Sequence, residues 1–136
     1  MDIVGRLISI RARAADIIGG LVITLYGFKS CDTVRKARAW LDARDVKYKF
    51  FDYRVEKLDP KVVDGWFARA GWEKVFNRNS TVFKELPEAE RAGIDEKKAR
   101  AMILAETNLI KRPVLDAGGP LLFGFKAAEY EQIVGQ

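Results

Sequence analysis

Cys31 is the only cysteine in the chain, and it stands where a reactive thiol could be made. It lies near the end of the stretch Leu21-Val22-Ile23-Thr24-Leu25-Tyr26-Gly27-Phe28-Lys29-Ser30-Cys31-Asp32-Thr33, in which a β-branched apolar run passes through a glycine-containing loop into a helical pattern. The reading is a strand that delivers a thiol to a helix N-terminus. There the unpaired N–H groups and the positive end of the helix dipole favour the thiolate, the nucleophilic form. Lys29, Arg35 and Lys36 add positive charge close in sequence. The competing reading is a cysteine that only packs, since free cysteine is among the most buried residue types. The polar flanks Ser30 and Asp32 favour the reactive thiol.

The rest of the composition narrows the chemistry. A single cysteine leaves no internal disulfide and no Cys-x-x-Cys pair, so a reducing, cytoplasmic setting is expected. The chain has no histidine, which excludes a Cys–His dyad and argues against a conventional zinc site. Its net charge is +5, but acidic and basic residues interleave rather than forming the basic stripe of a nucleic-acid module. Small anionic molecules are the expected ligands. No apolar run is long enough to span a bilayer, so no membrane role is expected.

The elements that must position Cys31 follow from periodicity. Residues 1–20 read as an N-terminal extension in which Arg6, Arg11 and Arg13 interrupt a roughly helical set of Ile3, Leu7, Ile10 and Ile17. Those charges argue against a secretory signal. Gly19-Gly20 marks a boundary, and residues 21–136 form one domain with enough apolar content for a core. After Cys31, Val34, Ala37, Trp40 and Leu41 share a helical face that closes near Asp45. Residues 46–53 alternate as a second strand, so a parallel βαβ unit is expected.

Asp59-Pro60 is a helix start, with the apolar face Val62, Val63, Trp66, Phe67 and Ala70 and a stop at Gly71. A short helix is expected over 72–79, then a turn at Ser80-Thr81 and an irregular stretch through Leu86-Pro87. Asp95 caps a further helix whose face is Ala99, Met102, Ile103 and Glu106. Strands at Val114-Leu115 and residues 121–125 pair antiparallel across Ala117-Gly118-Gly119-Pro120. A last helix over 126–134 turns Ala127, Tyr130 and Ile133 or Val134 inward. The order is βαβ, helical insertion, ββα: an α/β thioredoxin-like (glutaredoxin-type) fold with helices inserted between its halves.

Residues 26–33, Tyr26-Gly27-Phe28-Lys29-Ser30-Cys31-Asp32-Thr33, are followed by Arg35, by Phe76-Asn77-Arg78-Asn79, by Leu109-Ile110-Lys111-Arg112-Pro113-Val114 and by Gly124-Phe125-Lys126. This set resembles the arsenate-reductase-like ArsC/Spx/YffB family over about residues 22–134, and most closely its YffB-like branch. The resemblance implies a glutathione-dependent thiol reductase with Cys31 as the redox thiol. It implies Arg78 and Arg112 as ligands of an oxyanion or carboxylate, and Pro113 as a cis-proline facing the thiol. Lys29, Ser30 and Lys126 complete the implied substrate and glutathione site.

The departures from the family pattern are informative. Glutathione-linked arsenate reductases carry a histidine where this chain has Gly27, a serine where it has Val34, and a third arginine near the last strand, where this chain offers Lys126. Arsenate reduction is therefore expected to be weak. Spx-type regulators usually show Cys-x-x-Cys, and here the second position is Val34. Without a resolving cysteine an external thiol must complete the cycle, so glutathione is the expected co-substrate, with glutaredoxin a candidate partner and no tightly bound cofactor. The rival reading is an Spx-like regulator that docks on RNA polymerase without catalytic turnover.

Overall fold

The structure, a computed structural model, describes Ile17–Ile18 and residues 21–134. The proposed extension therefore lies, apart from Ile17–Ile18, outside the described residues. Two compact units are built from this chain: residues up to 56 together with those from 112 onward, and the intervening Lys57–Lys111. The second unit is the insertion expected between the two halves of the fold.

In the first unit, β1 (Ile17–Ile18) and β2 (Leu21–Val22) form a small antiparallel ladder on either side of Gly19-Gly20. The main sheet contains β3 (Thr24–Gly27), β4 (Lys49–Asp52), β5 (Val114–Asp116) and β6 (Leu121–Phe123) in the order β4-β3-β5-β6. β3 runs parallel to β4, with Gly27 opposite Asp52, and antiparallel to β5, which pairs antiparallel with β6. The parallel pair is joined by α1 (Asp32–Ala43), and α7 (Ala127–Val134) closes the chain. This βαβ–ββα arrangement is thioredoxin-like.

The core is what the periodicities demand. Ile23 and Leu25 alternate inward from the first strand, Ala37 and Leu41 come from one face of α1, and Leu115, Ala117, Tyr130 and Val134 come from the second half. All but Val134 of these are fully buried, and a large aliphatic side chain so placed contributes about 1.5–3 kcal/mol. Trp40, Phe125 and Tyr130 pack edge-to-face, with ring centroids 4.9–6.4 Å apart. Ala127, expected inward, is exposed, because α7 buries its Tyr130–Val134 stripe, one turn further along. The second strand is shorter than its alternating pattern: Val46 is spent in the core before the strand begins at Lys49.

In the second unit the Asp59 carboxylate accepts from the Lys61 N–H at the start of α2 (Pro60–Ala70), and Gly71, at φ 90°, stops it. Helix α3 (Trp72–Val75) is half the length expected. Phe76 leaves it to bridge Ile110, while the Asn77 N–H reaches the Leu109 carbonyl and the Lys111 N–H the Val75 carbonyl. Tertiary pairing here overrides local helical preference. The stretch expected to be a turn and irregular chain holds α4 (Thr81–Lys84), capped by the Ser80 hydroxyl, and α5 (Glu88–Arg91) follows it directly after Pro87. Asp95 caps α6 (Glu96–Ala105), which buries Ala99 and Ile103.

Candidate active site

Gly27 ends β3, and the chain turns through Phe28, Lys29 and Ser30 to place Cys31 as the residue that caps α1. The Cys31 N–H donates to the Phe28 carbonyl at 3.2 Å, and the Cys31 carbonyl accepts the first helical bond, from Arg35, at 2.9 Å. The sulfur is half-buried. Burial acts to raise its pKa, but the Val34 N–H, a hydrogen bond from the Arg112 side chain and the Thr33 N–H together outweigh it, so the thiol titrates below its ordinary value. The Thr33 and Val34 N–H groups of the first helical turn and the charge of Arg112 thus all favour the thiolate, while the Cys31 side chain makes no capping hydrogen bond to the helix.

Arg112 comes from the other half of the unit, just ahead of β5. Its peptide bond to Pro113 is cis, as the family resemblance implies. The Pro113 carbonyl accepts from the Gly124 N–H at 2.8 Å, which ties this entrance to the end of β6. The Arg112 guanidinium carbon lies 4.7 Å from the centre of the Phe28 ring. Phe28 is buried, and a second guanidinium, that of Arg54, lies 3.7 Å from the same ring centre. Tyr53 packs edge-on against Phe28, with centroids 5.8 Å apart.

The turn after β4 is fixed by Asp52. Its two carboxylate oxygens accept from the Lys29 N–H at 3.2 Å and the Arg54 N–H at 2.9 Å, so a side chain only 8% exposed joins the cysteine loop to the turn carrying Tyr53 and Arg54. The Tyr53 hydroxyl is buried without a hydrogen-bond partner among the described residues. It interacts electrostatically with Arg112, Cys31, Arg54 and Asp52, and burial above all holds its pKa well above the phenol range.

The structure thus brings Cys31 and Arg112 together and adds Phe28, Asp52, Tyr53 and Arg54, which the sequence reading passed over. Lys29 participates through its backbone, and its side chain is exposed. Ser30 is exposed and offers its carbonyl to Arg35, whose guanidinium also pairs with Asp32. Lys126 is exposed and opens α7 through its carbonyl, which accepts from the Glu129 and Tyr130 N–H groups. Arg78 belongs to the second unit, where its exposed side chain lies 5.7–6.0 Å from the ring centres of Trp72, Phe76 and Phe83.

Gly27 and Val34, the two departures nearest the thiol, touch: a Cβ at Gly27 would stand 2.7 Å from Val34 Cγ2. They are one packing unit, dry and apolar. A surface cleft of about 420 Å³ lies toward the far end of α1 and is lined by Arg38, Asp42, Asp45, Val46, Lys47, Tyr48 and Phe50; it includes none of the residues around Cys31. Among the described residues no group of three or more His, Cys, Asp or Glu side chains could hold a metal ion, and no helix is long and apolar enough to cross a membrane.

Residues 26–133 match the model of the ArsC family. The chain belongs to the ArsC family. Its fold is similar to that of the YFFB (PA3664) protein, with 46% sequence identity and a TM-score of 0.79 over 82% of this chain and 98% of that one. An uncharacterised protein of Haemophilus influenzae is 36% identical over 81% of this chain and 96% of its own length. The global transcriptional regulator Spx of Enterococcus faecalis is 27% identical over 83% of this chain and 86% of its own.

Proposed function

We propose that the protein is a thiol–disulfide oxidoreductase that uses Cys31 as its single redox centre and glutathione as its external thiol. The observation that carries this reading is the Cys31 sulfur, half-exposed and met by the Thr33 and Val34 N–H groups and the Arg112 guanidinium. In the first step the Cys31 thiolate attacks a mixed disulfide between a substrate and glutathione. The Cys31–S–glutathione bond forms, the old S–S bond breaks, and the substrate leaves as a thiolate that takes a proton from solvent. In the second step the thiolate of a second glutathione attacks that adduct, releasing oxidised glutathione and restoring the Cys31 thiolate. Across the cycle the substrate sulfur is reduced from disulfide to thiol, the sulfur of the incoming glutathione is oxidised from thiol to disulfide, and the first glutathione sulfur stays at the disulfide level throughout. One cysteine suffices for this cycle, and Arg112 stabilises the thiolate form at both ends of it.

The dry Gly27–Val34 contact fits disulfide chemistry better than arsenate reduction, because it offers no polar group to a multiply charged oxyanion. The likeness to a transcriptional regulator favours the second reading, a non-catalytic regulatory protein. Incubation with oxidised glutathione followed by intact-mass measurement separates the two. The expected result is one glutathione adduct on Cys31, released by reduced glutathione with turnover. Absence of the adduct refutes the reductase.

A further inference from the structure

Tyr53 is the residue of this site whose chemistry the cycle above leaves unused. Its ring fills the space beside Phe28, a task a phenylalanine would perform equally well. The hydroxyl adds only a polar group that is buried at 6% residue exposure and makes no hydrogen bond among the described residues. Such a group costs stability, since its hydration is lost without a replacement. It interacts electrostatically with two guanidinium groups and the redox thiol, and Arg54 and Arg112 both lie on the Phe28 ring against which Tyr53 packs. The acidic neighbour, Asp52, holds the loop through one backbone N–H on each oxygen and sets one negative charge against these two positive ones. Two gathered positive charges and an unsatisfied O–H donor together form a receptor for an oxygen anion.

We infer that Tyr53 Oη, with the Arg54 and Arg112 guanidiniums, forms a subsite for a carboxylate of the thiol that reacts at Cys31. The anion must be tethered to sulfur, because the subsite lies beside the nucleophile. A carboxylate-bearing thiol such as glutathione meets that requirement and a free inorganic anion does not. Arg112 has donors enough for both tasks, since its five N–H groups can serve the thiolate and the carboxylate together. Arg54 controls entry: its side chain is exposed, and moving it off the Phe28 ring opens the cluster toward solvent.

This inference rests on the glutathione reading and deepens it, so its test separates binding from reaction. The probe is S-methylglutathione, whose blocked sulfur cannot form a disulfide, compared by calorimetry with the same compound after esterification of its carboxylates. Native protein is expected to bind the acid. Tyr53→Phe and Arg54→Gln are each expected to weaken that binding about tenfold, the worth of one hydrogen bond to a charged group. The two substitutions should leave the weaker binding of the ester unchanged. Tyr53→Phe should unfold at the same temperature as native protein or higher, which a purely structural role for the hydroxyl would not allow. Equal losses for acid and ester, or no loss in either variant, overturn the subsite while the Cys31 adduct stands. Sulfate competing as well as S-methylglutathione overturns it in favour of a free-oxyanion site. No binding of S-methylglutathione to native protein, together with no Cys31 adduct, overturns the glutathione reading and the subsite with it.

Discussion

Replacing Arg112 by alanine removes the only side chain that donates a hydrogen bond to the Cys31 sulfur among the interactions that set its pKa, and leaves the Thr33 and Val34 N–H groups in place. A hydrogen bond to a charged group contributes about 1.5–3 kcal/mol. The sulfur is half-buried, so solvent screens part of this, and a figure just under that range, about 1.4 kcal/mol or tenfold, is the appropriate one. At a pH well below the ordinary thiol value of about 8.5, where reactivity follows thiolate fraction, Arg112→Ala should therefore react with iodoacetamide about ten times more slowly than native protein. Arg112→Lys should recover part of the loss, since an ammonium keeps the charge without the planar fork. Arg35→Ala is the control: that guanidinium is engaged by Asp32 and the Ser30 carbonyl, and its loss should change the rate by less than twofold. Rates are measured across pH, with unfolding curves to establish that each variant is folded. An Arg112→Ala profile that overlays native, or an equal loss in Arg35→Ala, would refute the electrostatic account of the thiol.

Cys31 carries a pH dependence into stability as well. Its folded-state pKa is depressed, so the unfolded chain binds the proton more tightly; stability should rise with pH between the folded value and the ordinary one, and this contribution should vanish as pH falls through the folded value, a slope that Cys31→Ser lacks in denaturant titrations. Gly27→Ala should destabilise by about 1–3 kcal/mol through overpacking against Val34, and the double variant with Val34→Ala should lose less than the sum of the two single losses. Asp52→Asn puts an NH2 group where one of two backbone N–H donors now finds an oxygen; it should cost about 1–3 kcal/mol and slow Cys31 alkylation by loosening the loop, whereas unchanged unfolding would remove Asp52 from the scaffold. Arsenate reduction with glutathione and glutaredoxin supplied should be weak, and turnover comparable to a dedicated arsenate reductase would contradict the consequence drawn from Gly27 and Val34.

Where sequence and structure agree, the signal was local and repeated. Val34, Ala37 and Leu41 have helical spacing, and Asp59-Pro60 and Asp95 are caps whose side-chain acceptors do what their types suggest. Where the two disagree, a distant segment decides. Nothing between Trp72 and Asn79 announces that Phe76 will bridge Ile110, 34 positions along, and end α3 after Val75. Ser80 could have been read as an N-cap. Its hydroxyl accepts from Phe83, but the absence of an apolar repeat hid a helix of only one turn.

The candidate site divides along the same line. Cys31 was legible because a thiol at a strand–helix junction is a local pattern, and Arg112 because it precedes the proline of a recognisable motif. Asp52 closes a strand that the alternation already located and Tyr53 and Arg54 follow it, yet their side chains drew no notice, since acid, aromatic and base in succession are ordinary at a strand end. Parallel pairing gives them their meaning: with Gly27 opposite Asp52, the turn after β4 must lie beside the turn after β3, so the residues following Asp52 come to the residues preceding Cys31. That register can be written down from a βαβ assignment before any coordinates exist. In an open parallel sheet the loops at the carboxyl ends of adjacent strands are where ligands gather, so the turn after the second strand belongs in the search for a site as much as the cysteine loop does.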